Sequence, residues 1–174
     1  HLFVTQGVPH TSTGQIAREA GTAAGTLFLY FPTKADLINT LLLEIVADQS
    51  EAVNALLSPE LTAEESFRAI WNGTLRWFQE NPEAYQYVIQ VRDSGIISEE
   101  VVQQSAMSFA FYYTAIEKGL AAQEIKPYPL DLVGDILYHN MVAVMNVIMR
   151  TSDADKHEEL SRAGFQIFWD GIRK

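Results

Sequence analysis

TSTGQIAREAGTAAGTLFLYFPTK, residues 11–34, decides how the rest of this 174-residue chain is read. Thr11, Ser12 and Thr13 supply hydroxyls that can cap a helix start. Ile16, Ala17 and Ala20 follow at spacings that put them on one inward face. Gly21 stops that helix, because glycine tolerates the left-handed conformation of a C-terminal cap. Thr22 is expected to cap a second helix from about Ala23 to Tyr30. Pro32 ends it, and Thr33 is expected to cap the next helix near Lys34. Two short helices about a glycine-containing turn make a helix-turn-helix, whose second helix enters the major groove of DNA.

The string is more specific than its turn. It resembles the DNA-binding signature of the TetR family of bacterial transcriptional regulators, with Ile16, Ala17, Ala20, Gly21, Gly25, Thr26, Leu27, Tyr30, Phe31, Lys34 and Leu37 at the matching places. The match covers about the first 45 residues. Two positions depart from the pattern. Phe28 stands where a tyrosine is usual, which removes a hydroxyl that commonly meets a phosphate. Ala23 and Ala24 open the second helix where polar or basic residues are frequent. The resemblance implies a ligand-responsive DNA-binding regulator, a repressor, that forms a homodimer on a palindromic double-stranded operator and is released by a small, largely apolar effector. It also implies a division into a helix-turn-helix DNA-binding domain over 1–45 and an all-α ligand-binding and dimerisation domain over 46–174. His1–Gly7 is similar to the end of the family's opening helix, so the first domain is expected to lack its N-terminal start.

Composition fits a globular chain, with 48% hydrophobic and 20% charged residues. The absence of cysteine excludes disulfides and cysteine metal sites, and it fits a reducing cytoplasm. A net charge of −10 sits uneasily with phosphate binding, which needs cations. Its distribution softens the objection. Residues 1–50 carry two basic groups, Arg18 and Lys34, against the acidic Glu19, Asp36, Glu44 and Asp48, so most of the excess lies further on. The shortage of cations keeps an alternative open: an all-α small-molecule-binding or interaction protein that has lost DNA binding.

Beyond the motif every segment reads as helix. Lys34 to about Leu57 carries Leu37, Leu41, Glu44, Ile45 and Asp48 in the mixed pattern of a helix touching two bodies. Thr62 and Glu65 have capping-box spacing ahead of Phe67, Ile70, Trp71, Leu75 and Phe78. Pro82 suits the first turn of a helix running to Asp93. A single helix of about 25 residues, on the order of 37 Å long, is expected from Ser98 to Gln123. Leu130–Arg150 is uncharged from Ile136 to Met149, yet too interrupted by His139, Asn140 and Asn146 for a membrane span of about 20 apolar residues. The last helix runs from Asp153 to Ile172. The fold class is therefore all-α: a helix-turn-helix head and a helical ligand-binding and dimerisation body.

The residues expected to act follow from these placements. Thr13, Gln15, Thr22, Thr26, Tyr30 and Lys34 are the polar groups offered to DNA, with Lys34 on a phosphate. Ile16, Ala17, Leu27, Phe28 and Phe31 are expected to form the core of the head. Trp77, Tyr85, Phe109, Tyr112, Tyr113 and His139 come from successive helices. Some of them are expected to surround one cavity of roughly a few hundred Å³, the usual scale of a small-molecule site. Ile136, Val144, Leu160, Ala163, Gly164, Ile167 and Phe168 are expected at a dimer interface, as a four-helix bundle of the last two helices with their copies. No metal or cofactor is called for, since the histidines lack ligand spacing. Enzymatic chemistry is not indicated either: Glu64-Glu65, Glu99-Glu100 and Glu158-Glu159 read as solvated helix surface, and no phosphate loop is present.

Overall fold

The computed structural model describes residues 1–92 and 94–174, and among them the regular structure is helical throughout. In chain order the helices are α1 (Leu2–Gln6), α2 (Thr13–Glu19), α3 (Ala24–Tyr30), α4 (Lys34–Asn54), α5 (Ala63–Glu80), α6 (Pro82–Arg92), α7 (Glu99–Ser108), α8 (Ala110–Ala121), α9 (Leu130–Ile148) and α10 (Ala154–Ile172). One isolated antiparallel bridge joins Ile125 to Arg173 near the chain end. Asp93, expected to close α6, lies outside the described residues. The chain forms two compact units, residues 1–48 with 81–108, and residues 49–80 with 109–174.

In the first unit, α1 packs on α6, where the rings of Phe3 and Tyr87 lie 5.8 Å apart. The buried Tyr87 hydroxyl donates to the Ile38 carbonyl at 2.8 Å, which ties α6 to α4. Burial pushes the pKa of this phenol well above its ordinary range, so it remains a neutral donor. The inward stripe of α4 is Ile38, Leu42 and Val46, continuing to Gln49 and Val53 in the second unit. Leu37, Leu41 and Ile45, from the mixed pattern expected of a helix touching two bodies, are half-buried flanks one residue out of phase with that stripe.

The second unit is built on α5, whose Phe67, Ile70, Trp71 and Leu75 are fully enclosed. The Thr62–Glu65 capping box forms as expected: Thr62 N–H donates to the Glu65 carboxylate at 2.8 Å, and Glu65 N–H to the Thr62 hydroxyl at 3.2 Å. Trp71 is clamped by α10. Its indole N–H donates to Ser161, at 3.0 Å from the carbonyl and 3.1 Å from the hydroxyl, and its ring meets Phe165 edge-on at 5.9 Å. The α9 helix buries Val133, Leu137, Met141, Met145 and Ile148, a stripe at spacings of three and four.

The long helix expected from Ser98 to Gln123 is two helices. Phe109, at φ −102° and ψ 24°, breaks the ladder between α7 and α8. The break lets the rings of Phe109 and Phe111 meet edge-on at 5.9 Å. In an unbroken helix residues two apart diverge by about 200° and would not touch. Hydrophobic periodicity does not register such a break, because an aromatic run stays apolar across it.

Candidate nucleic-acid interface

The helix-turn-helix is set by backbone bonds that the local sequence makes available. The Ser12 hydroxyl caps α2 by accepting from Gln15 N–H at 3.1 Å. At the other end Gly21 takes φ 66°, its N–H reaching the Arg18 carbonyl and that of Thr22 reaching Ala17, at 3.1 and 2.9 Å. This pair of bonds is a Schellman motif, which satisfies the last carbonyls of α2. It also corrects the role expected of Thr22. Thr22 closes the first helix, and Ala23, with no side-chain acceptor, occupies the cap position of α3.

The start of α4 is fixed by a reciprocal box in which Thr33 N–H donates to the Asp36 carboxylate at 2.9 Å and Asp36 N–H to the Thr33 hydroxyl at 3.1 Å. Lys34, one residue later, sends its ammonium to the Val8 carbonyl in the α1–α2 loop. The buried Thr11 hydroxyl holds the same loop, donating toward the Gly7 and Leu2 carbonyls at 2.9 and 3.2 Å. Lys34 therefore already has a partner within the head, and an ammonium has two further donors for another acceptor.

Packing of α3 on α2 turns Leu27 into the core and leaves most of the helix outside. The expected core is corrected at one residue. Ala17 and Leu27 are buried and Ile16 and Phe31 half-buried, but Phe28 is 44% exposed, because it lies about 100° round the helix from Leu27. Gly25 and Leu29 stand opposite Leu27, and Leu29 is 82% exposed. Thr26 and Tyr30 are exposed one turn apart on the other flank. Thr13, Gln15, Thr22 and Lys34 are half-buried. Ranking residues by polarity passes over Gly25 and Leu29. The helical phase about Leu27 is the signal that finds them.

The six residues from which a cavity lining is expected fall in both units. Tyr85 is buried on α6 in the first unit, whereas the other five belong to the second. Tyr113 is exposed, and so is His139, whose ring meets Tyr138 edge-on at 5.4 Å. Trp77 is half-buried against Phe78. Phe109 and Tyr112 do meet, with ring centres 5.6 Å apart. What converges is a polar trio: the phenol of Tyr112 on α8, the hydroxyl of Thr74 on α5 and the phenol of Tyr138 on α9. Burial pushes the Tyr112 pKa up to about 12, the neighbouring Thr74 hydroxyl pulls against that rise, and Tyr138 adds to it. The Thr74 oxygen is itself buried, and its contact with the Tyr112 phenol falls short of a well-formed hydrogen bond. In sequence Thr74 is only the last residue of Asn72-Gly73-Thr74, and its burial can be found only from the α5 stripe.

The residues expected at the dimer interface divide between two faces. Gly164 and Phe168 are buried within the unit, against Trp71 among others. Val144 and Leu160 are half-buried. Ile136, Ala163 and Ile167 are exposed, Ile167 by 70%. On α9, Leu132, Ile136, His139, Ala143 and Val147 form an exposed stripe at helical spacing.

Among the described residues no helix is long and apolar enough to cross a membrane, and no cluster of three metal-ligating side chains occurs. The family model described as "Bacterial regulatory proteins, tetR family" matches residues 1–41. The HTH-type transcriptional regulator SrpR of Pseudomonas putida is 24% identical over 178 residues, covering 99% of this chain and 81% of SrpR. TtgW, an uncharacterized HTH-type transcriptional regulator also from Pseudomonas putida, is 30% identical over 109 residues, covering 60% of this chain and 78% of TtgW. A solved TetR-family regulator from Shewanella sp. PV-4 superposes with a TM-score of 0.91 at 29% identity, over 99% of this chain and 93% of that one. With its helix-turn-helix at the N-terminus of an all-α chain, the protein belongs to the TetR family of DNA-binding transcriptional regulators.

Proposed function

We propose that the protein is a homodimeric repressor released from a palindromic operator by a small, largely apolar effector bound in the body over 46–174. The observation that carries this reading is the trio of Thr74, Tyr112 and Tyr138. The buried Thr74 hydroxyl has only the Tyr112 phenol beside it and no well-formed hydrogen bond, so a ligand with one polar group on an apolar frame would complete its bonding. Phe109, Tyr112 and Trp77 supply aromatic surface near that end of the body. Dimerisation through Ile136, Ala163 and Ile167, flanked by Val144 and Leu160, covers apolar surface that one subunit leaves in water. It also spaces two heads for half-sites about one DNA turn, roughly 34–36 Å, apart. On DNA, Thr26 and Tyr30 face the groove, while Thr13, Gln15, Thr22 and Lys34 lie toward the backbone.

The test is operator binding followed by fluorescence anisotropy, with apolar compounds carrying one hydrogen-bonding group added in turn. A compound that releases wild type and not Thr74→Val supports the reading. Compounds that bind, as read by tryptophan emission, and never change operator affinity would remove the effector role. The alternative, a small-molecule-binding or interaction protein without DNA affinity, is favoured by one observation, the two basic side chains in the first 50 residues. Salt-dependent binding to duplex DNA excludes it.

A further inference from the structure

The exposed surface of α3 is unusual for a helix that meets base edges. From Thr22 to Pro32 the chain has no arginine, lysine, histidine, asparagine, glutamine, aspartate or glutamate. The side chains that ordinarily read guanine, adenine and cytosine in the major groove are therefore missing from the helix. What α3 shows to solvent instead is Leu29 at 82%, Tyr30 at 76% and Phe28 at 44% exposure, with the hydroxyl and methyl of Thr26 beside them. Gly25 lies in line with Leu29, and a Cβ built on it would meet nothing within 4 Å. The fold does not require a glycine there on steric grounds. A glycine on the outward face does allow the backbone to approach another molecule closely.

We propose that the operator is read chiefly through thymine 5-methyl groups, packed against Leu29, Phe28 and the Thr26 methyl, with Gly25 letting the α3 backbone approach the groove. The thymine methyl is the one apolar group on the major-groove edge of an ordinary base pair, and it is the group an apolar helix can recognise. The inference rests on the DNA-binding reading and adds what chemistry that binding selects.

The experiment compares three duplexes at one salt concentration by anisotropy: a site selected from a random pool, the same site with deoxyuridine for thymine in both half-sites, and a random duplex. Deoxyuridine keeps every hydrogen-bonding group of thymine and lacks only the methyl. Each contacted methyl should be worth about fourfold in affinity, the factor for burying one methylene-sized group. The random duplex should bind alike with either base. Leu29→Ala should shrink the thymine-to-uracil ratio. Gly25→Ala should fold at least as stably as wild type, by thermal melting, and bind the selected site more weakly. Equal affinity for thymine and uracil sites would overturn the inference while salt-dependent duplex binding leaves the DNA-binding reading standing. Unimpaired binding by Gly25→Ala would overturn the close approach. Absence of binding to any duplex would remove both.

Discussion

Gly164 lies so close to Val144 that a Cβ on the glycine would stand 2.3 Å from the valine Cγ2, and it would stand 2.9 Å from Trp71 Cζ2. Neither neighbour can easily retreat. The Trp71 ring is pinned through its N–H to Ser161, and β-branched Val144 sits on a helix, where its rotamers are restricted. Gly164→Ala should therefore destabilise the fold by about 1–3 kcal/mol, the usual scale of overpacking, despite alanine's better helix propensity. Urea denaturation measures it. Adding Val144→Ala should recover part of the loss, a non-additivity that a double-mutant cycle reads directly. Additive losses would mean that the two residues do not limit each other.

The proposed dimer is best probed at Ile167, which the subunit leaves in water. Ile167→Glu should keep the helical circular dichroism and melting behaviour of the subunit while sedimentation shows monomers. Operator affinity should fall with it, because one head meets one half-site. An Ile167→Glu variant that sediments as a dimer would move the interface away from α9 and α10.

Lys34 has two measurable roles. Its ammonium donates to the Val8 carbonyl, so Lys34→Ala should cost about 1 kcal/mol of stability, discounted for partial exposure from the usual range for charged hydrogen bonds. If the same group also meets a phosphate, the slope of log affinity against log salt should flatten by about one unit for operator and random DNA alike. A stability loss with an unchanged slope would make Lys34 a positioning residue for the α1–α2 loop.

Alkaline titration should separate the tyrosines. The chain has seven, and the Tyr112 phenol is held up to about 12 by burial. The Tyr87 phenol is raised further still. In the unfolded chain both would ionise near 10. The neutral form is favoured in the folded state, so the stability these phenols contribute is present below pH 10 and is lost as pH rises through about 12. Phenolate absorbance should therefore include a late component, from Tyr87 and Tyr112, that appears only as circular dichroism is lost. Tyr112→Phe and Tyr87→Phe should each remove one late phenol.

Gln123 adopts φ 58°, a left-handed conformation, at the end of α8. Its N–H and that of Glu124 reach back to the Leu120 and Gly119 carbonyls at 3.1 and 2.9 Å, completing the same kind of cap as Gly21. Gln123→Gly should stabilise the protein by about 0.5–1 kcal/mol, since glycine carries no Cβ penalty there. Thermal melting checks the sign.

Local chemistry is the legible part of this structure. Ser12, Gly21, Pro32, Thr33 and the Thr62–Glu65 pair lie within a few residues of what they control, and each acts as its side chain dictates. The motif residues are legible for the same reason. Thr22 escapes a sequence reading because hydroxyl caps and Schellman closures compete for one residue, and only the bond to Ala17 decides between them. The break at Phe109 and the inward turn of Gly164 are not legible. Both depend on which neighbour a helix meets, and a stripe of apolar residues does not say whether its partner is the same chain or a copy. The exposure of Tyr113 and His139 shows the limit for the site. Residue type nominates an aromatic for a pocket, but helical phase decides whether it arrives.

The chain passes between its two compact units at residues 48–49, 80–81 and 108–109, and Phe3 and Ile38 have their partner Tyr87 on the far side of two of those passages. The unit that carries the helix-turn-helix is thus spliced from distant stretches of sequence. A graft that exchanged only the first 48 residues with those of a relative would set foreign residues against the native Tyr87. Re-targeting such a regulator to a new operator calls for transplanting residues 81–108 together with residues 1–48, at three junctions rather than one.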